Sequence, residues 1–371
     1  MPIVVNSNAT ATSASFNLSN ANDALRKSLA RLSSGKRIVD PADDAGGMSV
    51  AYKMNSKLTR TEAVRQNIQN GISYLQVQDG AMTTIAKVLD RMSELRIMAG
   101  DVIKNTQDVE NYSKEFIELQ RQLNQVRREK FNGISLFAVS RTPSVNVPPD
   151  LRPPLDKANA VDDEGRTYQI FSRNILTTAD GNYEDGNVSL NVMNLQYILS
   201  IGNIDRRFIN TGTAAILDAA MASAANNADV SGSGQEIFVN LGNVNGGNTN
   251  DLSLAAGYTS AQLSSAYDEI YTEDGFLRSI MFVSVGSFTN IIQRIADARA
   301  ENGAEQNRLG IVNELLTVNQ TNLEAAYGRI MDADMALEST RFARQNVLVQ
   351  SSASMVAQAN QLTGIALTLL G

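Results

Sequence analysis

Apolar residues recur at every seventh position near both ends of the chain. Leu18, Leu25 and Leu32 hold this register early, and Leu348, Met355, Leu362 and Leu369 repeat it late. Ile68, Leu75, Met82 and Leu89 share the spacing, with Ile72, Ile85 and Met92 on the same side. Val109, Tyr112, Phe116, Leu119, Leu123 and Val126 alternate steps of three and four. Leu309, Leu316, Leu323 and Ile330 repeat at seven, offset by Val312, Asn319, Ala326 and Ala333. Such spacing puts an apolar stripe along one side of a helix. It predicts long helices in both flanks, packed as coiled-coil seams or as the core of a plain helical bundle. Periodicity alone leaves both open; position favours seams, because chain ends are ordinarily the least ordered parts. The terminal stripes are also thin. One leucine per two turns contributes ~1.5–3 kcal/mol of burial, against ~1–2 kcal/mol for ordering each residue. A lone pair of such helices is marginal and gains order when neighbouring copies cover it, which is the profile of a polymer subunit.

The middle of the chain has a different texture. Residues 141–285 are rich in Gly, Asn, Asp and Ser, and five of the seven prolines fall between Pro143 and Pro154. Short β-like runs occur at 168–171, 188–192 and 236–239, interrupted by an Ala-rich helical stretch from Thr213 to Asn226. Mixed α/β structure is expected there, inserted between helical flanks. Gly71, Gly80 and Gly310 interrupt the flanking helices at a tolerable cost of ~1 kcal/mol each.

Helix punctuation is legible between residues 31 and 47. Gly35 suits the C′ position of the helix carrying Leu32, and Lys36 and Arg37 suit its negative end. Asp40 can N-cap the next helix with Pro41 at its first position, and Asp43 and Asp44 complement its first turn. An acidic metal loop from Asp40, Asp43 and Asp44 is the competing idea, but the alternating spacing of a calcium loop is missing. Asn132-Gly133 predicts a tight turn leading into a strand from Ile134 to Val139.

Composition then narrows the chemistry. The 371 residues include no His and no Cys. Nucleophile systems that pair Ser or Cys with His are therefore impossible, as are zinc sites of the usual kind and disulfides. Paired carboxylates at Asp162-Asp163-Glu164 and at Asp332 and Asp334 read as solvated charge, and no phosphate loop is present. No enzyme activity, cofactor or metal is expected. The net charge of -7 argues against nucleic acid or an anionic membrane as partner. No run approaches the ~20 apolar residues of a membrane span. The start, Met1 to Asn6, does not read as a signal peptide, which by itself points to the cytosol unless another route exports the chain.

Several ordered motifs carry a family likeness. They are Arg31-Leu-Ser-Ser-Gly-Lys-Arg-Ile38, Asp43-Asp44-Ala45, Gln66-Asn67, Arg91-Met-Ser-Glu94-Leu95 and Phe131-Asn132-Gly133. Towards the end come Gly303-Ala304-Glu305-Gln306-Asn307-Arg308-Leu309, Arg329 through Asp334, and Gln358-Ala359-Asn360-Gln361. In this order the sequence resembles bacterial flagellin. The likeness implies a mainly α fold of long antiparallel helices, a coiled-coil-like rod of D0 and D1 regions with an inserted mixed α/β outer domain. D0 would comprise 1–40 and 335–371, D1 would comprise 41–140 and 286–334, and 141–285 would be the variable, surface-exposed domain. The implied function is the self-assembling structural subunit of the helical, tubular flagellar filament that gives swimming motility, with the hook–filament junction protein of the same family as the alternative.

The resemblance further implies secretion into the extracellular filament without a cleaved signal peptide. Implied partners are other copies, other flagellins, the flagellar export apparatus, an export chaperone, the filament cap and an animal innate immune receptor. Subunit packing would involve Leu18, Leu25, Leu32, Arg91, Glu94, Leu95, Leu348, Met355, Leu362 and Leu369. The receptor-facing surface would involve Arg91, Leu95 and Glu115. Asn319, on a seam position, either fixes register as a buried Asn or is solvated.

Overall fold

Asn8 opens the first helix: its side chain accepts the Ala11 N–H at 3.0 Å, a cap that satisfies an otherwise orphaned donor. The computed structural model describes residues 8–138, 156–161, 167–181, 186–201, 204–226, 240–242 and 257–370. The expected strand at 236–239, the Pro-rich stretch, the 162–164 carboxylates and the side chains of Leu362 and Leu369 lie outside the described residues. The fold is mainly α, with long helices in both flanks and a strand-containing insert between them. Two compact units divide it, residues 1–63 with 315–371 and residues 64–314.

In the first unit, α1 (Ala9–Ser34) packs against α8 (Met335–Leu370). Asn8 donates its side-chain N–H to the Ala359 carbonyl at 2.9 Å, near the far end of α8, so the two helices run antiparallel. The least exposed line on α1 is Leu18, Ala21, Leu25, Ser28 and Leu32, a three-four seam in which the expected leucines alternate with small residues. On α8 the corresponding line is Glu338, Phe342, Gln345, Val349, Ser352, Val356 and Ala359. That corrects the expected register by one position. Leu348 and Met355 are not on the side packed to α1, because the branched Val349 and Val356 take the inward places.

Gly35 ends α1 with a φ of 69°, the left-handed conformation that glycine adopts without strain, and its N–H reaches Arg31 O at 2.9 Å. The following residues pair with the connection between α7 (Val285–Met331) and α8. Arg37 N–H donates to Met331 O at 2.6 Å and Ala333 N–H to Gly35 O at 3.0 Å. Ile38, Ala51 and Met331 form a small core beneath this pairing. The next helix, α2 (Ala45–Ala99), starts later than expected. Its cap is Asp44, which accepts the Gly47 N–H at 2.8 Å, while residues 40–43 form a turn closed by Asp43 N–H to Asp40 O. Asp43 faces back to Lys27 and Arg31, so its charge serves a link to α1. The Lys27 ammonium holds the Asp43 carboxyl below its usual range.

In the second unit the helices form a bundle core. On α2, Ile68, Leu75, Met82, Ile85, Leu89, Met92 and Leu95 are all but inaccessible, and adjacent pairs such as Val88 and Leu89 are buried together. That stripe is wider than a two-helix seam. The two packings left open by periodicity therefore occur in different places: a narrow seam in the first unit and a bundle in the second. α3 (Thr106–Arg127) is opened by a reciprocal capping box between Asn105 and Asp108 and contributes Phe116 and Leu123. β1 (Lys130–Phe131) and β2 (Ile134–Ser135) follow as a hairpin. Its turn residues Asn132 and Gly133 have φ of 49° and 77°, as a type I′ turn requires. The second strand is shorter than expected: Leu136 and Ala138 turn to other partners, namely Glu129 O and Met193 O.

The insert contains a three-stranded antiparallel sheet in the order β3 (Asp156–Val161), β4 (Thr167–Leu176), β5 (Asn187–Val192). β4 and β5 match two expected strands, and β3 had no clear alternation to announce it. Val188, Leu190 and Val192 bury one side of β5. A short α4 (Leu195–Ile198), the Ala-rich α5 (Thr211–Asn226) and α6 (Ser260–Ile270) follow. The chain then returns to α3. Gln120 exchanges two hydrogen bonds with the backbone of Leu277, at 2.9 and 3.0 Å, and both residues are inaccessible.

Candidate assembly surfaces

Each described residue expected to act between subunits has a definite surrounding; the side chains of Leu362 and Leu369 lie outside that set. Leu18, Leu25 and Leu32 are half-buried on the α1 seam, so much of their surface is already spent within one chain. On α8, Leu348 is 45 % and Met355 63 % exposed. Val347 beside them is also exposed, as are Phe16 and Leu29 on α1. The paired helices thus carry apolar side chains that their own seam does not use.

Arg91 lies on an exposed side of α2. Its Nε donates to Glu115 of α3 at 2.8 Å and its Nη1 to Glu94 at 2.7 Å. Two carboxylates hold the guanidinium still more firmly protonated, those of Glu115 first. The Arg91–Glu94 pair is local, one helical turn apart; the bridge to α3 needed the tertiary fold. Pairs this exposed contribute little stability. What they do is fix the Arg91 side chain in one place, as a rigid charged feature on an outer surface. Leu95, one turn along, is 0 % exposed. Its placement in a packing or receptor-facing surface is therefore corrected: it fills the core of its own chain.

On α7, Leu309 and Leu316 are buried and Leu323 and Ile330 half-buried, as expected. The intervening half-buried positions include Asn313, Gln320 and Tyr327, so the alternate step is four then three. Asn319 is exposed. It is the solvated Asn, with no register role inside the chain.

Sequence reasoning missed a buried polar chain across the second unit. Asn302 of α7 donates to Gln78 of α2 at 2.8 Å, and Gln78 donates to Leu136 O at 3.0 Å. Gln306 donates to Asn302 at 2.6 Å. Gln78 and Asn302 are inaccessible, so these bonds satisfy groups that burial would otherwise penalise. Gln306 and Asn302 lie one turn apart, a signal that was available but unremarkable. Nearby, Glu305 accepts the Asn191 N–H of β5 at 2.8 Å. Burial pushes its carboxyl up to about 7, aided by Glu301 and opposed by the Asn191 hydrogen bond and Arg308. Asp334, read from the sequence as solvated charge, caps α8 through the Ala336 and Leu337 N–H groups. Among the described residues no group of three or more acidic side chains could hold a metal ion. Nor is any described helix long and apolar enough to cross a membrane.

The arrangement is a set of long helices that leave some apolar and charged side chains exposed. Residues 5–142 match the bacterial flagellin N-terminal helical region, and residues 285–370 match the bacterial flagellin C-terminal helical region. The flagellin of Bacillus subtilis strain 168 is 29 % identical over 371 residues, covering 99 % of both chains. Polar flagellin F of Vibrio parahaemolyticus is 27 % identical over 391 residues, covering both chains fully. The crystal structure of Bacillus cereus flagellin aligns with 71 % of this chain and 94 % of that one, at 17 % identity. The TM-score of that alignment is 0.35. With both helical regions matched in order and relatives aligned over the full length of the chain, the chain belongs to the bacterial flagellin family, whose members are structural, and is a subunit of the extracellular flagellar filament.

Proposed function

We propose that this chain polymerises by covering, with neighbouring copies, the apolar side chains left exposed on α1 and α8. The supporting observation is Leu348 and Met355 standing in solvent on a helix whose inner seam is already occupied. Burying these side chains against a neighbouring copy would remove apolar surface from water, which favours association. On this reading residues 1–40 and 335–371 are the D0 region, 41–140 and 286–334 the D1 region, and 141–285 the variable outer domain. Leu362 and Leu369 would extend the α8 face. Arg91 and Glu94 would make polar contacts between D1 regions, with Glu115 as their anchor. Arg91 and Glu115 are also the residues an innate immune receptor could reach.

Export through the flagellar apparatus without a cleaved signal peptide, with a chaperone and a filament cap as partners, completes the reading. So does the possibility of co-assembly with other flagellins. The chain is proposed to have no catalytic role, in keeping with a sequence that lacks His and Cys. Deleting residues 343–371 should leave a soluble monomer and no filaments by electron microscopy; normal filaments from that truncation would refute the proposal. A hook–filament junction role is separated by abundance. A filament subunit dominates protein sheared from the cell surface, whereas a junction protein is present in few copies.

A further inference from the structure

The turn between α2 and α3 displays two aliphatic side chains almost wholly to solvent: Val102 is 99 % and Ile103 89 % exposed. The turn is not loose. Gly100 N–H bonds Arg96 O, Lys104 N–H bonds Asp101 O, both at 3.1 Å, and Ile103 N–H bonds the Asp101 carboxylate at 3.2 Å. The capping box of α3 fixes the other side. The chain therefore holds an apolar knob in one shape, at a standing hydration cost that its own fold does not relieve.

The unit formed by 1–63 and 315–371 has a matching hole. A cavity of about 340 Å³ is lined by Ile38, Met48, Ala51, Tyr52, Tyr327 and Met331, with Lys36 on its wall. A water occupies ~30 Å³ of liquid, so the cavity has room for two branched side chains. Its lining is mixed: Ser34 and Asn55 stand beside the apolar side chains, which are the ones two aliphatic groups would pack against. The knob carries Asp101 next to Val102, and the hole carries Lys36, so the charges at their edges are complementary.

We infer that Val102 and Ile103 of one copy seat in the cavity beside Tyr52 and Met331 of another copy of this chain. A contact between two different patches of the same molecule is head-to-tail, and repeated without closure it generates a helix. This inference rests on the filament reading and specifies one contact within it.

The absence of Cys from the sequence makes the test clean. The full-length double variant Ile103→Cys/Tyr52→Cys is polymerised on sheared filament seeds, oxidised, and run on a denaturing gel without reductant. A ladder of dimers, trimers and higher species is expected, with no ladder from either single variant. Filaments that give only monomer, or a disulfide closed within one chain, would overturn the contact and leave the filament reading intact. Should the wild-type chain itself fail to elongate the seeds, the filament reading falls and the contact with it. As a second measurement, Val102→Asp/Ile103→Asp should keep the helical circular dichroism and melting of the monomer while its elongation slows at least tenfold. Elongation at the wild-type rate overturns the inference.

Discussion

Glu305 is the residue whose environment departs furthest from its sequence appearance. In the motif it looks like one more surface carboxylate on a helix. The sheet packs beside it, and burial raises its pKa to about 7, above the ordinary glutamate value of 4.5. Because the folded value is the higher, the stabilising form is the protonated one. That stability is fully present below about pH 4.5 and is lost as pH rises through 7. Chemical denaturation of wild type and Glu305→Gln should therefore diverge between pH 5 and pH 8, with the variant gaining on the wild type. Ionisable groups around this carboxylate include Glu301, Arg308 and Tyr74, and Arg173 hydrogen-bonds Tyr74. Glycines divide in the same context-dependent way. A Cβ on Gly80 would meet nothing within 4 Å, so Gly80→Ala should raise monomer stability by about 1 kcal/mol in a thermal melt. At Gly71 a Cβ would run into the side-chain tip of Ile175 of β4, so that helix glycine makes room for this side chain. The sequence had marked both simply as tolerated costs.

At the scale of elements, helix existence was readable and helix edges were less so. Gly35 stopped α1 where its composition said it would. The start of α2 moved from Asp40 to Asp44 because Asp43 is drawn to Lys27 and Arg31, partners more than ten residues back. Asp44→Ala should lower stability by ~0.5–2 kcal/mol, a typical loss for an N-cap, and Asp40→Ala by much less; equal losses on denaturation would restore the earlier boundary. The buried chain through Gln78 and Asn302 joins α2, α7 and the hairpin. Asn302→Ala leaves the Gln78 oxygen without its donor and should cost ~1–3 kcal/mol, measured by urea unfolding of the monomer. The register of α8 was misplaced by one residue because Leu348 and Val349, or Met355 and Val356, are equally apolar. The pattern cannot say which of two adjacent apolar residues faces the partner.

For the whole molecule, the units differ in how much they bury. The α1–α8 seam uses Ala21, Ser28, Gln345 and Ser352 among its inward residues, whereas the second unit buries Leu, Ile, Met and Phe. Little burial per turn means a low free energy of local opening. In the monomer, backbone amides of α1 and α8 should exchange with deuterium well before those at 68–95 of α2, and in filaments they should become protected. Equal protection in both states would mean that α1 and α8 are not buried by polymerisation.

The sequence by itself determined the long helices, the leucine register of α1, the stop at Gly35, the turn at Asn132-Gly133 and the exclusion of His- and Cys-based chemistry. These follow from local steric preference, period and atom type, which neighbours in sequence specify. Only the tertiary structure decided that Leu95 points inward, that Asn319 stays wet, that Arg91 reaches across to Glu115 and that Glu305 is buried. Each depends on what another segment, distant in sequence, places against one side of a helix, and a period of seven carries no information about that partner.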